Sequence, residues 1–178
     1  MTPDLPLTPA TEADLPALAA LVNGAYRGET SRQGWTTEAD LLGGTRTDEA
    51  ELRAVLQDPH STVLTCRDPA DGALLGCFHL EERGDILDLH MLAVQPDLQA
   101  RGVGKRLLAA AEDHARALGC RTCRMSVLDG RPELLAFYER RGYRRTGETE
   151  PFPEGPPHGV PTRPLTLLVL EKPVARTL

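Results

Sequence analysis

Aromatic side chains are scarce in this chain, at 4% of 178 residues, and lysine occurs only as Lys105 and Lys172. With a net charge of −6 the sequence also lacks the clustered cations that neutralise phosphates, so a nucleic-acid partner is not expected. No apolar run approaches the roughly 18 residues needed to cross a bilayer, and no charged-then-apolar start is present. The expectation is a soluble, cytoplasmic protein of one domain spanning residues 1–178, without a membrane partner. Cysteine is limited to Cys66, Cys77, Cys120 and Cys123. The last two make a CxxC, but no second pair or spaced histidines complete a zinc set. CRTCRMSV also reads as a strand, whereas a redox CxxC opens a helix, so apolar packing in a sheet is expected and no metal site.

The periodicity divides the chain into a mixed α/β order. LPLTPA reads as a short strand, and TEADLPALAALVNGAYRG carries a helical stripe with Thr11 and Asp14 in capping positions. GWTTEADLLGG and TRTDEAELRAVL read as a broken helix or two short ones. STVLTCRD, ALLGCFHLEERG and DILDLHMLAV form an antiparallel meander through the turns DPADG and ERGD. Strict alternation would put Asp88, His90, Leu92 and Val94 on one strand face, and Leu87, Leu89, Met91 and Ala93 on the other. A helix over Arg101–Leu118 stops at Gly119, CRTCRMSVL is a strand, and Pro132 opens a helix through PELLAFYERR. YRRTGETE and TLLVLEKP are closing strands around the proline-rich loop PFPEGPPHGVPTRP. The strands at 86–94 and 122–128 are expected to be parallel neighbours through a right-handed crossover, which sets the helix start at Arg101 on a ligand-binding sheet edge.

Two glycines at that helix start invite three phosphate-binding templates. A Walker loop fails because Arg106 follows Gly104-Lys105, and a dinucleotide fingerprint fails because Leu107 stands where its third glycine belongs. The third template, QxxGxG after a strand and a proline turn, is met by Gln99-Ala100-Arg101-Gly102-Val103-Gly104 following Leu92-Ala93-Val94-Gln95-Pro96. On these residues the chain resembles the GNAT superfamily of acyl-CoA-dependent N-acetyltransferases, from about Asp85 to Thr149. The resemblance implies a mostly antiparallel central sheet flanked by helices, with a parallel strand pair splayed at the acyl-CoA site. Physical chemistry is compatible with that seat. Free N–H groups at a helix start attract an anion, glycines admit a phosphate close to the backbone, and Lys105 and Arg106 add charge at the rim.

A second signature of the family, a strand followed by Asn-Pro, a helical Tyr and Gly-Tyr, is matched by Pro132, Ala136, Phe137, Tyr138, Gly142 and Tyr143. Arg131 stands in place of the usual Asn, a departure at the pantetheine contact. The resemblance implies that Tyr138 protonates the departing thiolate, for which a phenol with a reference pKa near 10 is suited; packing against Leu134 is the bland alternative. It also implies that the backbone N–H of Leu92 polarises the thioester carbonyl, and that Ala93 and Val94 belong to the acyl-CoA strand. For the base, Asp88 matches a glutamate used in some members, at about 13 Å along the strand from Leu92, while His90 is at about 6.6 Å.

The implied reaction is acetyl transfer from acetyl-CoA, as co-substrate, to an amine of a small molecule or peptide, in a monomer or homodimer. A non-catalytic acyl-CoA-binding module on the same fold is the rival reading. Acceptor contacts are expected from Trp35, Glu38 and Asp40 and from the loop Pro151–Pro164, where Glu38, Asp40 and Glu154 either attract a cationic acceptor or lie as solvated charge. His60 and His114 are expected in a turn and on a polar helix side, and His158 in the proline loop.

Overall fold

The computed structural model describes residues 5–27, 29–34, 37–153 and 160–175. Seven strands form the central sheet: β1 (Leu7–Pro9), β2 (Ser61–Arg67), β3 (Leu74–Arg83), β4 (Ile86–Val94), β5 (Thr122–Leu128), β6 (Arg144–Pro151) and β7 (Thr166–Pro173). They lie in the order β1-β2-β3-β4-β5-β7-β6. Only β4 and β5 pair in parallel, through the expected crossover; the other contacts are antiparallel.

Local chemistry accounts for the meander. Asp68 accepts from the N–H groups of Ala70 and Gly72, through its carboxylate and its carbonyl respectively, both at 2.8 Å, and Gly72 takes the φ of 75° that closes the β2–β3 turn. Gly84, at φ 65°, turns β3 into β4 through two residues, the left-handed geometry that tight hairpins favour.

Four helices cover the two faces: α1 (Leu15–Tyr26), α2 (Glu49–Gln57), α3 (Val103–Leu118) and α4 (Pro132–Glu139). Asp14 accepts the Thr11 N–H at 2.8 Å ahead of α1, as the sequence suggested. The stripe Leu15, Leu18, Leu21, Val22 and Ala25 packs with Leu52 of α2 over Val63, Cys77 and Ala93. On the opposite face Leu107, Leu108, Ala111 and Ala115 of α3, with Leu135 and Tyr138 of α4, cover Phe78, Leu80, Leu87, Leu89 and Met125. All four cysteines are buried and free in these layers, and burial pushes the Cys77 and Cys123 thiols up to about 12. No described helix is long and apolar enough to cross a membrane.

The expected broken helix before α2 is corrected. Only its second half forms, with Asp48 accepting the Glu51 N–H at 2.8 Å as cap. In the first half Thr37 Oγ accepts from the Ala39 N–H at 3.0 Å and donates to the Tyr26 carbonyl at 3.2 Å, Gly44 turns at φ 85°, and Leu42–Gly43 pairs with Val160–Pro161. The side chain of Thr37 thus ties its segment to the end of α1, and tertiary contacts displace a short helix of modest propensity. Trp35, Glu154 and His158 lie outside the described residues.

Candidate active site

The site begins where the central ladder stops. β4 and β5 pair from Ile86–Thr122 to Leu89–Met125 and then diverge. On its other edge β4 carries a bulge: His90 pairs with His79 and Ala93 with Cys77, so Met91 and Leu92 both stand opposite Phe78. Met91 takes φ 55°, the one positive value at a non-glycine among the described residues. Such a conformation costs on the order of 1–3 kcal/mol and persists where the surroundings hold it.

This bulge reverses the face assignment made from strict alternation. Leu92 and Val94 join Leu87 and Leu89 in the cluster beneath α3 and α4, whereas Met91 and Ala93 join the cluster beneath α1 and α2. Asp88 and His90 therefore do not share a face with Leu92 and Val94, because one extra residue shifts the period of two. Asp88 Oδ2 is paired to Arg83 Nε at 3.1 Å and lies outside the lining of the cavities described below. His90 does reach the larger cavity, beside Met91 and Leu92.

Two hollows lie along β4 past the point where the strands diverge. The larger, of about 200 Å³, extends from Met125 and Val127 on β5 to Arg27, Glu38 and Arg46 under the end of α1. The smaller, of about 60 Å³, follows Leu92, Ala93 and Val94 to Gln99 and Gly104. They share a wall of Tyr26, Leu92, Arg131, Leu134 and Tyr138.

The smaller hollow is shaped by the glycine-rich segment. Residues Pro96–Arg101, including Ala100, form a 3₁₀ turn, Gly102 takes φ 86°, and α3 begins at Val103. The Gln99 amide donates to the Val94 carbonyl at 3.3 Å, tying the turn to β4. The first bond of the helix runs from the Arg106 N–H to the Gly102 carbonyl at 3.0 Å, leaving the N–H groups of Val103, Gly104 and Lys105 at its open end. A Cβ on Gly104 would stand 3.7 Å from Val94 Cγ2 and 4.0 Å from Phe137 Cζ, inside this hollow. Lys105 and Arg101 are exposed and Arg106 is half-buried, so charge lies around the seat.

Arg131 shows why the usual Asn is dispensable to the fold. It occupies the cap position of α4 without capping the helix by its side chain; instead its guanidinium donates to Glu38 Oε1 at 3.1 Å, with both residues buried. Glu38 Oε2 accepts from Arg27 Nε, also at 3.1 Å. Glu38 is thus neither a solvated charge nor a free cation attractor, the two expectations for it. Asp40 is exposed and paired with Arg32 at 2.8 Å.

Tyr138 is buried, and burial pushes its phenol well above the ordinary range. Its ring meets Phe137 and Tyr143 edge-on at 5.2 and 5.9 Å, its hydroxyl has no hydrogen-bond partner among the described residues, and the residue lines both hollows. Tyr26 stands at the same wall with its phenol pushed up to about 12 by burial, and the guanidiniums of Arg46 and Arg131 lie 5.5 and 5.6 Å from its ring centre. Sequence reasoning missed Tyr26, Arg27 and Arg46. Tyr26 and Arg27 read as the end of an ordinary helix, and Arg46 as a loop charge after Gly43-Gly44; no local motif marks any of them.

The polar end of β4 is organised by charge. His90 Nε2 lies 3.1 Å from Glu81 Oε2, and its ring lies 5.1 Å from that of His79. Burial, helped by His90, depresses His79 to about 4, and His79 Nε2 bonds Ser61 Oγ at 2.9 Å. Glu81, Asp88 and His90 each place one donor atom within 4.8 Å of the others, and Arg83 balances both carboxylates.

Comparison with known proteins agrees with this geometry. The chain matches the Acetyltransferase (GNAT) family over residues 25–143. It is 38% identical over 87 residues to mycothiol acetyltransferase of Clavibacter michiganensis subsp. michiganensis (strain NCPPB 382), covering 49% of this chain and 28% of that protein, so it spans less than a third of that relative's length. It is 31% identical over 140 residues to the uncharacterized N-acetyltransferase YhfO of Bacillus subtilis (strain 168), covering 75% of this chain and 86% of the other. In fold it resembles a GNAT superfamily phosphinothricin acetyltransferase from Sinorhizobium meliloti, solved in complex with AcCoA, with a TM-score of 0.69, 19% identity and coverage of 96% and 89% of the two chains. The matched span reaches from the end of α1 to Tyr143 and so contains the diverging strands, the glycine-rich helix start and Tyr138: the chain belongs to the GNAT acetyltransferase family.

Proposed function

We propose that this chain, acting as one domain, transfers the acetyl group of acetyl-CoA directly to a primary amine of a small molecule or peptide held in the larger cavity. The observation that carries the reading is the shared wall, where Leu92, Tyr26 and Tyr138 separate a glycine-lined hollow from a polar one. The residues present fit the co-substrate. Gly104 keeps clear the space that a Cβ would fill, and the open N–H groups of the first turn of α3 suit a pyrophosphate.

Acetyl-CoA supplies an acyl carbon activated as a thioester and a thiol as leaving group. Around that carbon the Leu92 N–H, at the bulge, donates to the carbonyl oxygen as charge develops there. His90, oriented by Glu81, takes a proton from the amine directly or through one water. Asp88 supports this pair through Arg83, which both carboxylates share. As the C–N bond forms and the C–S bond breaks, Tyr138 gives its proton to the sulfur and regains one from solvent. A phenol with an ordinary pKa near 10 already carries that proton at neutral pH.

The rival reading, a module that holds acyl-CoA without chemistry, is disfavoured by Tyr138, which lines both hollows and whose hydroxyl has no hydrogen-bond partner among the described residues. Release of free thiol from acetyl-CoA is expected in the presence of an amine panel and to fall on His90→Gln. Tight acetyl-CoA binding with no thiol release across polyamines, amino acids, aminoglycosides and peptide amino termini would leave the binding module standing.

A further inference from the structure

The larger cavity has a charge opposite to that of the chain. Among the described residues Arg27, Arg46 and Arg131 line it against one carboxylate, that of Glu38, an excess of two positive charges in a chain of net charge −6. Glu38 is saturated, since Arg27 takes one of its oxygens and Arg131 the other, each at 3.1 Å. Arg27 also donates to the Thr45 carbonyl at 2.9 Å.

Arg46 differs from the other two. Its guanidinium lies over the Tyr26 ring, 5.5 Å from the centre, and among the described residues no carboxylate lies within ion-pairing distance of it. Glu51 and Glu81 line the neighbouring hollow on its other side, but Glu51 accepts from Thr47 Oγ at 2.8 Å, and Glu81 is engaged by Arg83 and His90. A half-buried cation held beside like charges is costly until an anion joins it. Its fork of N–H groups matches two oxygens of a carboxylate or phosphorus oxyanion.

We propose that Arg46 binds an oxyanion group of the acceptor, so that the amine acetylated here belongs to a molecule that also carries a carboxylate or a phosphorus oxyanion. This rests on the transferase reading above and names its substrate class. The anion sits against Arg46 and Tyr26 while the amine points to the wall at Leu92 and Tyr138. The cavity of about 200 Å³ suits a small molecule spanning that interval.

The test uses four small amines of similar length: 3-aminopropanoate, 2-aminoethylphosphonate, 3-aminopropanamide and propylamine. Each is titrated calorimetrically into protein saturated with coenzyme A, which occupies the phosphate-binding seat, and each is offered with acetyl-CoA for thiol release. One or both oxyanion probes are expected to bind about 10- to 100-fold more tightly than the neutral amide and bare amine. A preference for the carboxylate identifies an amino-acid-like acceptor, and one for the phosphonate identifies a phosphorus-bearing one. Arg46→Met is expected to bring the four probes within about threefold of each other while coenzyme A affinity and melting temperature hold. Arg46→Lys, which keeps charge without the fork, is expected to fall between and serves if the Met variant does not fold. Equal binding of all four probes by the wild-type protein, or an equal loss for all four on Arg46→Met, overturns the proposal. Selective oxyanion binding without thiol release overturns the transferase reading and leaves the oxyanion site intact.

Discussion

Glu38→Gln is expected to lower the melting temperature by roughly 6–20 °C. The carboxylate is 6% exposed and compensates two guanidiniums at 3.1 Å each, one from the end of α1 and one from the cap of α4. The amide keeps the shape and one acceptor oxygen but removes the charge, so Arg27 and Arg131 would face one another across the cavity wall. Breaking a buried ion pair in this way costs about 3–5 kcal/mol. At about 2–4 °C per kcal/mol for a chain of this length, that yields the stated shift. Circular dichroism melts at fixed pH provide the assay. The double variant Glu38→Leu with Arg131→Met should recover at least half of the loss, because it removes one stranded cation and replaces a desolvated pair by apolar contact. A shift below about 3 °C for Glu38→Gln, or strict additivity in the double variant, would show that cavity water already solvates these charges.

Three further outcomes follow from the same geometry. Gly104→Ala should leave stability unchanged or slightly raised, since the new Cβ meets Val94 and Phe137 at ordinary contact distances. It should still weaken acetyl-CoA binding by about tenfold, and Gly104→Val by more; unchanged calorimetric affinity in both counts against the glycine seat. Tyr138→Phe should reduce turnover by about a hundredfold or more with acetyl-CoA affinity nearly constant, and equal turnover would leave Tyr138 as a packing residue. His79 has a folded pKa of about 4 against 6.5 when unfolded, so its contribution is present above pH 6.5 and is lost as pH falls toward 4. The loss is on the order of 3 kcal/mol. Melting curves at pH 7.5, 6, 5 and 4.5 should show that decline, and His79→Asn should flatten it; an unchanged slope in the variant would place the acid sensitivity elsewhere.

Much of the local structure that builds the candidate site was legible because it is set within short segments. The N–H groups that a helix leaves at its start, and the glycines that let a ligand approach them, belong to one short segment, so Gln99–Gly104 could be read in line. The helix in the Pro132–Tyr143 run was legible for the same reason, opening at Pro132 as expected. The faces of β4 were not, because a bulge at Met91 is a property of two strands in register, and DILDLHMLAV alternates as cleanly with the bulge as without it. Glu38 and Arg131 stand 93 residues apart in sequence, and no pattern within either segment couples them.

The sequence by itself determined the order of elements, the crossover that sets β4 beside β5, and the helix start beside Gly102–Gly104, since each follows from periodicity, turn residues or helix-end chemistry over a few positions. Tertiary structure alone decided the charge of the larger cavity. It built a cationic pocket in an acidic chain by bringing Arg27, Arg46 and Arg131 together with one carboxylate among the described residues. Net charge sums over a whole surface, whereas a ligand meets the few charges that the fold has brought within contact range of it.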